Sequence, residues 1–183
     1  MIAKANQRVG IIRRTFTKLN KDSFKILYKS LVRPILEYCS VIWFPLFKSE
    51  AVEIEKVQRR ATKLIPGFKD LPYSDRLKAL NITTLAYRRK RADILQVYRI
   101  IHQIDRIPFE TFFKLNTSST RGHQYKLEKP RAETKLRLNS FSHRIIDPWN
   151  NLPKEAVNCK TINAFKTAIE KSWKNDPIKY NFE

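Results

Sequence analysis

Between Phe24 and Ile42 the apolar side chains Phe24, Leu27, Tyr28, Leu31, Ile35, Tyr38, Cys39 and Ile42 recur at intervals of one, three or four. That spacing predicts one helical face. The single acid of "LVRPILEYCSVIWFP", Glu37, falls in the opposite sector with Ser30, Arg33 and Ser40, Arg33 lying one turn before it. It is therefore expected to be a solvated charge rather than a buried catalytic carboxylate. Pro34 removes one intrahelical hydrogen bond and crowds the preceding turn, so the helix is expected to kink or divide near Arg33.

The same periodicity runs through most of the first two thirds of the chain. A helical segment is expected around Val9 to Leu19. Another spans "KSEAVEIEKVQRRATKLIPG", with Ile54, Val57, Ala61, Leu64 and Ile65 on one side, Ser49 as N-cap and Pro66-Gly67 as the stop. Its acids precede its bases, which suits the helix dipole. A short helix from Ser74 to Leu80 leads to a long one beginning near Thr84, with the stripe Tyr87, Ile94, Leu95, Tyr98 and Ile101. Beyond the polar run at 116–123, Tyr125 and Leu127, then Leu136 and Leu138, alternate at period two across a Pro130 loop and predict a small antiparallel hairpin. "FSHRIIDPWNNLP" reads as a short helix, and Ile162, Phe165, Ile169 and Trp173 as the stripe of a final helix capped by Thr161. The expected fold is mainly α: a helical bundle with a small C-terminal β-hairpin and a terminal helix. Its expected divisions are a helical domain (1–115), a polar linker (116–123), a small segment (124–176) and a loose tail (177–183).

Charge changes this picture more than composition does. The chain has 183 residues, and 37 Lys and Arg against 17 Asp and Glu give a net charge of +20, far beyond what solubility needs. A polyanion, nucleic acid first, is the expected partner. The most apolar stretch, Leu31 to Phe47, is interrupted by Arg33, Pro34 and Glu37, so no membrane span is expected. The N-terminus lacks a signal-peptide core, which points to an intracellular protein of the nucleus or cytoplasm. Two separated cysteines and three scattered histidines supply no metal site.

With three glycines there is no phosphate-cradling glycine loop, and no paired aspartates are present to clamp two metal ions. No catalytic residue, metal or cofactor is expected. What remains is basic helices. Arg59, Arg60 and Lys63 on one helix, and Arg88, Arg89 and Lys90 on another, are the candidate contacts to a phosphate backbone. Arg88 to Arg91 span a full helical turn and cannot all face one way; Arg91 points along the apolar stripe and is expected to snorkel or pair with an acid. Tyr28, Tyr38, Tyr87, Tyr98 and the three tryptophans are expected in the core.

The succession "LYKSLVRPILEYCSVIWFP", "IEKVQRRATKLI", "YRRKRADILQVYRIIH", "SFSHRIIDPWNNLP" and "AFKTAIEKSW" resembles, in order and spacing over Ala3 to Trp173, the C-terminal part of jockey-like non-LTR retrotransposon reverse transcriptases. The resemblance implies the helical thumb that grips template and primer, followed by a post-thumb segment. It places Arg59, Arg60 and Arg88 to Arg91 at basic positions of the family pattern, and gives Trp149, Asn150, Leu152 and Pro153 a role in packing and turn formation. The family's polymerase motif, palm, fingers and endonuclease have no counterpart here. Met1 is thus expected to open a partial copy that does not synthesise DNA alone. Two functions follow as expectations: a thumb-like fragment binding RNA, DNA or an RNA–DNA duplex through its backbone, or a helical scaffold module or decayed transposon remnant whose charge has no specific use.

Overall fold

The computed structural model describes residues 1–116 and 122–182 and falls into two compact units. Unit 1 comprises residues 1–40, 47–89 and 177–183, and unit 2 residues 41–46 and 90–176. Residues 117–121, the larger part of the expected linker, lie outside the described residues.

Unit 1 begins with α1 (Ile2–Thr15). It buries Ala5, Val9 and Ile12 and packs against α4 (Lys48–Thr62). Between them come α2 (Lys21–Leu27), a π-helical turn (Tyr28–Val32) and α3 (Arg33–Glu37). Pro34 explains the π-turn. Having no N–H, it cannot bond the Ser30 carbonyl, and its ring needs room there; the wider turn supplies that room, with the Arg33 N–H reaching back five residues to the Tyr28 carbonyl. The division expected near Arg33 is present.

The wider turn also rephases the helix. The fully buried positions are Phe24, Tyr28, Val32 and Leu36, each four apart. The predicted stripe therefore fails after Tyr28. Tyr38, expected in the core, is 75% exposed, and Cys39 is exposed with a positive φ of 52°. The π-turn adds one residue to the turn and rotates every later position out of phase with a 3.6-residue repeat.

α4 begins at Lys48, not after a Ser49 cap: the Phe47 N–H donates to Glu50 Oε2 at 3.3 Å. α5 (Tyr73–Leu80) follows and packs on α4. α6 (Leu85–Ile101) opens as expected at Thr84, whose Oγ1 accepts the Tyr87 N–H at 3.1 Å. The stretch expected as a loose tail is tied down over 177–182: the Ile178 and Lys179 carbonyls accept from Thr84 Oγ1 (2.5 Å) and Thr84 N (3.0 Å).

In unit 2, the remainder of α6 meets α7 (Lys135–Leu138), α8 (Phe141–Arg144), α9 (Ile146–Asn150), α10 (Lys154–Val157) and α11 (Ile162–Ser172), the last capped by Thr161 as expected. Ile94, Val97, Tyr98, Trp149, Phe165 and Ile169 form the centre of its core. The Tyr98 and Phe165 rings stack with centroids 4.1 Å apart.

Mainly helical architecture stands, but the expected β-hairpin does not: no β-strand occurs among the described residues. Leu136 and Leu138 lie in α7, where the Thr134 hydroxyl accepts the Arg137 N–H and turns the chain into the helix; Leu136 is 71% exposed. Leu127 instead makes one antiparallel bridge with Leu115. Its outward backbone groups, which a further strand would bind, are taken by Asn150: Oδ1 accepts from Leu127 N (2.8 Å) and Nδ2 donates to Leu127 O (2.9 Å). Two apolar residues at period two on each side, Tyr125 and Leu127, then Leu136 and Leu138, were too short a pattern to distinguish a strand from a helical turn.

Candidate nucleic-acid interface

Four basic residues in succession on α6 meet acids on different parts of the chain. In unit 1, Arg88 is half-buried and clasps Glu37 of α3, with Nη2 to Oε2 at 3.0 Å and Nε to Oε1. Burial opposes the Arg88 charge, yet the Glu37 hydrogen bonds outweigh it and hold the guanidinium above its ordinary pKa. Arg89 is only 2% exposed, and its charge acts on the buried Glu55 of α4. In unit 2, Lys90 donates to Asp176 at 2.6 Å and lies 4.5 Å from the Trp173 ring centre. Arg91 pairs with Glu170 of α11 at 2.8 Å, one of the two outcomes expected from its place on the apolar stripe. Of the predicted phosphate contacts, Arg88 and Lys90 are thus held by internal acids, and Arg89 is buried where its charge acts on Glu55.

Glu37, expected to be solvated, is three-quarters buried and stands between Arg88 and Arg33. Glu37→Gln should therefore cost about 1–3 kcal/mol, the range for hydrogen bonds to a charged group. Chemical denaturation followed by tyrosine fluorescence checks it. A loss below about 0.5 kcal/mol would mean that the pair behaves as a surface ion pair.

Glu55, Gln58 and Tyr73 form a buried network absent from the sequence expectations. Glu55 Oε2 accepts the Leu85 N–H at 2.9 Å, at the first turn of α6, and Oε1 accepts the Tyr73 hydroxyl. Gln58 joins them, donating to Tyr73 Oη (2.8 Å) and to the Thr83 carbonyl (3.0 Å) while accepting from Tyr28 Oη (2.6 Å). Burial pushes the Glu55 carboxyl up, and the bonds from Tyr73 and Leu85 pull it only partly back. Burial, with Glu55 beside it, drives the Tyr73 hydroxyl well above its usual range. Both oxygens of Glu55 accept from the protein's own donors, so the carboxylate ties the start of α6 to α4.

The three candidates on α4 separate. Arg59 is half-buried, with Nη2 donating to the Phe182 carbonyl at 2.5 Å and its guanidinium 4.8 Å from the Tyr73 ring centre. Arg60 is exposed and reaches Asn6 of α1 at 3.0 Å. Lys63 is exposed just beyond the end of α4. Beside them α1 has Lys4, Arg8, Arg13 and Arg14, all exposed, and no acid at all. Arg13 lies two turns from Asn6 and shares its side of the helix. α1 thus carries four exposed cations and no acid, with Arg13 on the side that meets Arg60, and α1 was not among the sequence candidates.

Unit 2 holds a second missed pair. Arg144 and Asp93 are both buried and join in two bonds, Nε to Oδ2 at 2.8 Å and Nη2 to Oδ1 at 2.9 Å. Arg144 also donates to the Asn139 and Val41 carbonyls, and stands 4.6 Å from the Phe44 ring centre. One signal was visible: Asp93 is the only acid in α6. Trp149 is fully buried, with Nε1 donating to the Tyr125 carbonyl at 2.8 Å, consistent with a packing role.

Among the described residues no grouping of His, Cys, Asp and Glu could hold a metal ion, and no helix is long and apolar enough to cross a membrane. No family model matches the chain, and no curated protein or solved structure is significantly similar to it.

Proposed function

We propose that the protein holds nucleic acid by its phosphate backbone, as the thumb and post-thumb portion of a jockey-like non-LTR retrotransposon reverse transcriptase, without a catalytic role of its own. The observation that carries this reading is the set of exposed cations on α1 and at the end of α4, namely Lys4, Arg8, Arg13, Arg14, Arg60 and Lys63. The positive excess is not confined there. Unit 1 has 20 basic against 8 acidic side chains and unit 2 has 17 against 9, so a long polyanion is favoured over a point ligand. The five sequence blocks that resemble the reverse transcriptases supply the parentage.

A second reading, a helical scaffold or decayed remnant without a nucleic-acid partner, is favoured by one observation. The densest basic run, Arg88 to Arg91, meets internal acids.

Duplex binding across a range of salt separates the two. The log-log slope should be steep, with Arg60→Gln and Lys63→Gln together reducing it by up to about 1.8, since each phosphate neutralised contributes about 0.9. The matched double change Lys171→Gln and Lys174→Gln should reduce it less. Equal losses would show that affinity follows bulk charge, and the second reading would then be preferred.

A further inference from the structure

Arg33, Arg88, Arg91, Arg99, Arg131 and Arg144 each have a carboxylate partner. Among the described residues Arg59 and Arg76 have none, although both are drawn into the body of unit 1. Arg59 Nη2 is bound by the backbone carbonyl of Phe182 at 2.5 Å. Arg76 is 4% exposed. Its Nη1 donates to the Arg59 carbonyl (2.8 Å) and to Thr62 Oγ1 (2.7 Å), and its Nε is buried with no hydrogen-bond partner. Both guanidinium carbons lie against the same aromatic ring, 4.8 and 5.3 Å from the centre of Tyr73. Burial disfavours the charge on Arg76, and the neighbouring Arg59 disfavours it further. Among the described residues the two guanidiniums thus share one ring and neutral acceptors only. Taking such charges from water without a counter-ion is unfavourable. The planar fork of a guanidinium matches a tetrahedral oxyanion with two parallel bonds.

We propose that Arg59 and Arg76, gathered on Tyr73, form a site for a phosphoryl group, and that the Phe182 carbonyl occupies the place of one of its anionic oxygens. The segment 177–182 is then a competitor for the site. Its anchors are the Thr84 bonds to the Ile178 and Lys179 carbonyls, so Phe182 can swing away while they remain. A phosphate oxygen replaces a neutral carbonyl with a charge-assisted acceptor, roughly twice as strong. The proposal deepens the nucleic-acid reading by naming one phosphate contact, and rests on that reading for the polymer that supplies the phosphate.

Calorimetric titration of the full chain with inorganic phosphate, and separately with a short duplex, tests it at fixed ionic strength set with chloride. Phosphate should bind saturably. Arg59→Gln should weaken it about tenfold or more, the equivalent of one charge-assisted hydrogen bond. Removing residues 182–183 should tighten it several-fold, and Lys171→Gln should leave it unchanged. Circular dichroism establishes that each variant is folded; if Arg59→Gln is not, the truncated chain decides, and an affinity no tighter than that of the full chain overturns the site. So does phosphate binding that survives Arg59→Gln, or its absence in both the full and the truncated chain. Duplex binding with no phosphate site leaves the nucleic-acid reading standing and this one overturned. Phosphate binding that needs Arg59, without duplex binding, upholds the site for a free phosphate and overturns the nucleic-acid reading.

Discussion

Asp93→Ala is expected to lower the stability of unit 2 by about 3–5 kcal/mol, because it leaves the Arg144 guanidinium buried without a counter-charge. The loss of a carboxylate on the surface would cost far less. Arg131 and Glu133 provide the comparison within the same unit, at 90% and 77% exposed, and Glu133→Ala should cost under about 0.5 kcal/mol. All three tryptophans, Trp43, Trp149 and Trp173, belong to unit 2. Tryptophan fluorescence during urea unfolding therefore reports this unit alone. Arg144→Ala should cost a similar amount, and Asp93→Ala combined with Arg144→Ala less than the sum of the two, since the double change removes both stranded charges. If the two single losses add without coupling, or if Asp93→Ala costs under about 1 kcal/mol, the pair does not organise the unit as its geometry indicates.

What the sequence made legible was set by how far apart interacting residues lie along the chain. Helices with their own caps and stripes were readable, as at Thr84 and Thr161, because the residues that decide them lie within one turn. The π-turn was half legible. Pro34 announced a break, but whether the chain answers with a kink, a division or an extra residue depends on the space around Ser30, and that choice alone moved Tyr38 from the predicted core to the surface. The run Arg88 to Arg91 shows the larger limit. Periodicity says that four successive residues face four directions, and they do; it does not say that Glu37, Asp176 and Glu170 wait there, because those acids are 51, 86 and 79 residues away. A basic run on a helix reads as a phosphate surface until its acids are placed. The α1 cations, spread through a helix of ordinary composition, drew no notice and turned out to be the exposed ones. Asn150 was similarly opaque: an amide that stands in for a strand has no spacing of its own.

Glu55→Ala should be the most damaging single change in unit 1, at about 3 kcal/mol or more, because it strands the Leu85 N–H and the Tyr73 hydroxyl together, each buried donor costing about 1–3 kcal/mol when unmet. Glu55→Gln should cost less, since an amide oxygen still accepts from Leu85. The two forms should also differ in their response to pH. Burial raises the folded carboxyl above its unfolded value of 4.5, so between those two values the folded state binds more protons than the unfolded one. Stability contributed by this group is then complete below pH 4.5 and declines as pH rises through the raised folded pKa. The sign is opposite to that of a carboxylate stabilised by a surface cation. Subtracting the Glu55→Gln curve from that of the native chain removes every other titrating group, the histidines included, and the difference should favour the native chain more at pH 5 than at pH 7. Far-UV circular dichroism follows unfolding in both. A difference that is flat, or that rises with pH, would mean that the donors from Tyr73 and Leu85 more than offset burial, and that Glu55 is held as a carboxylate at all ordinary pH.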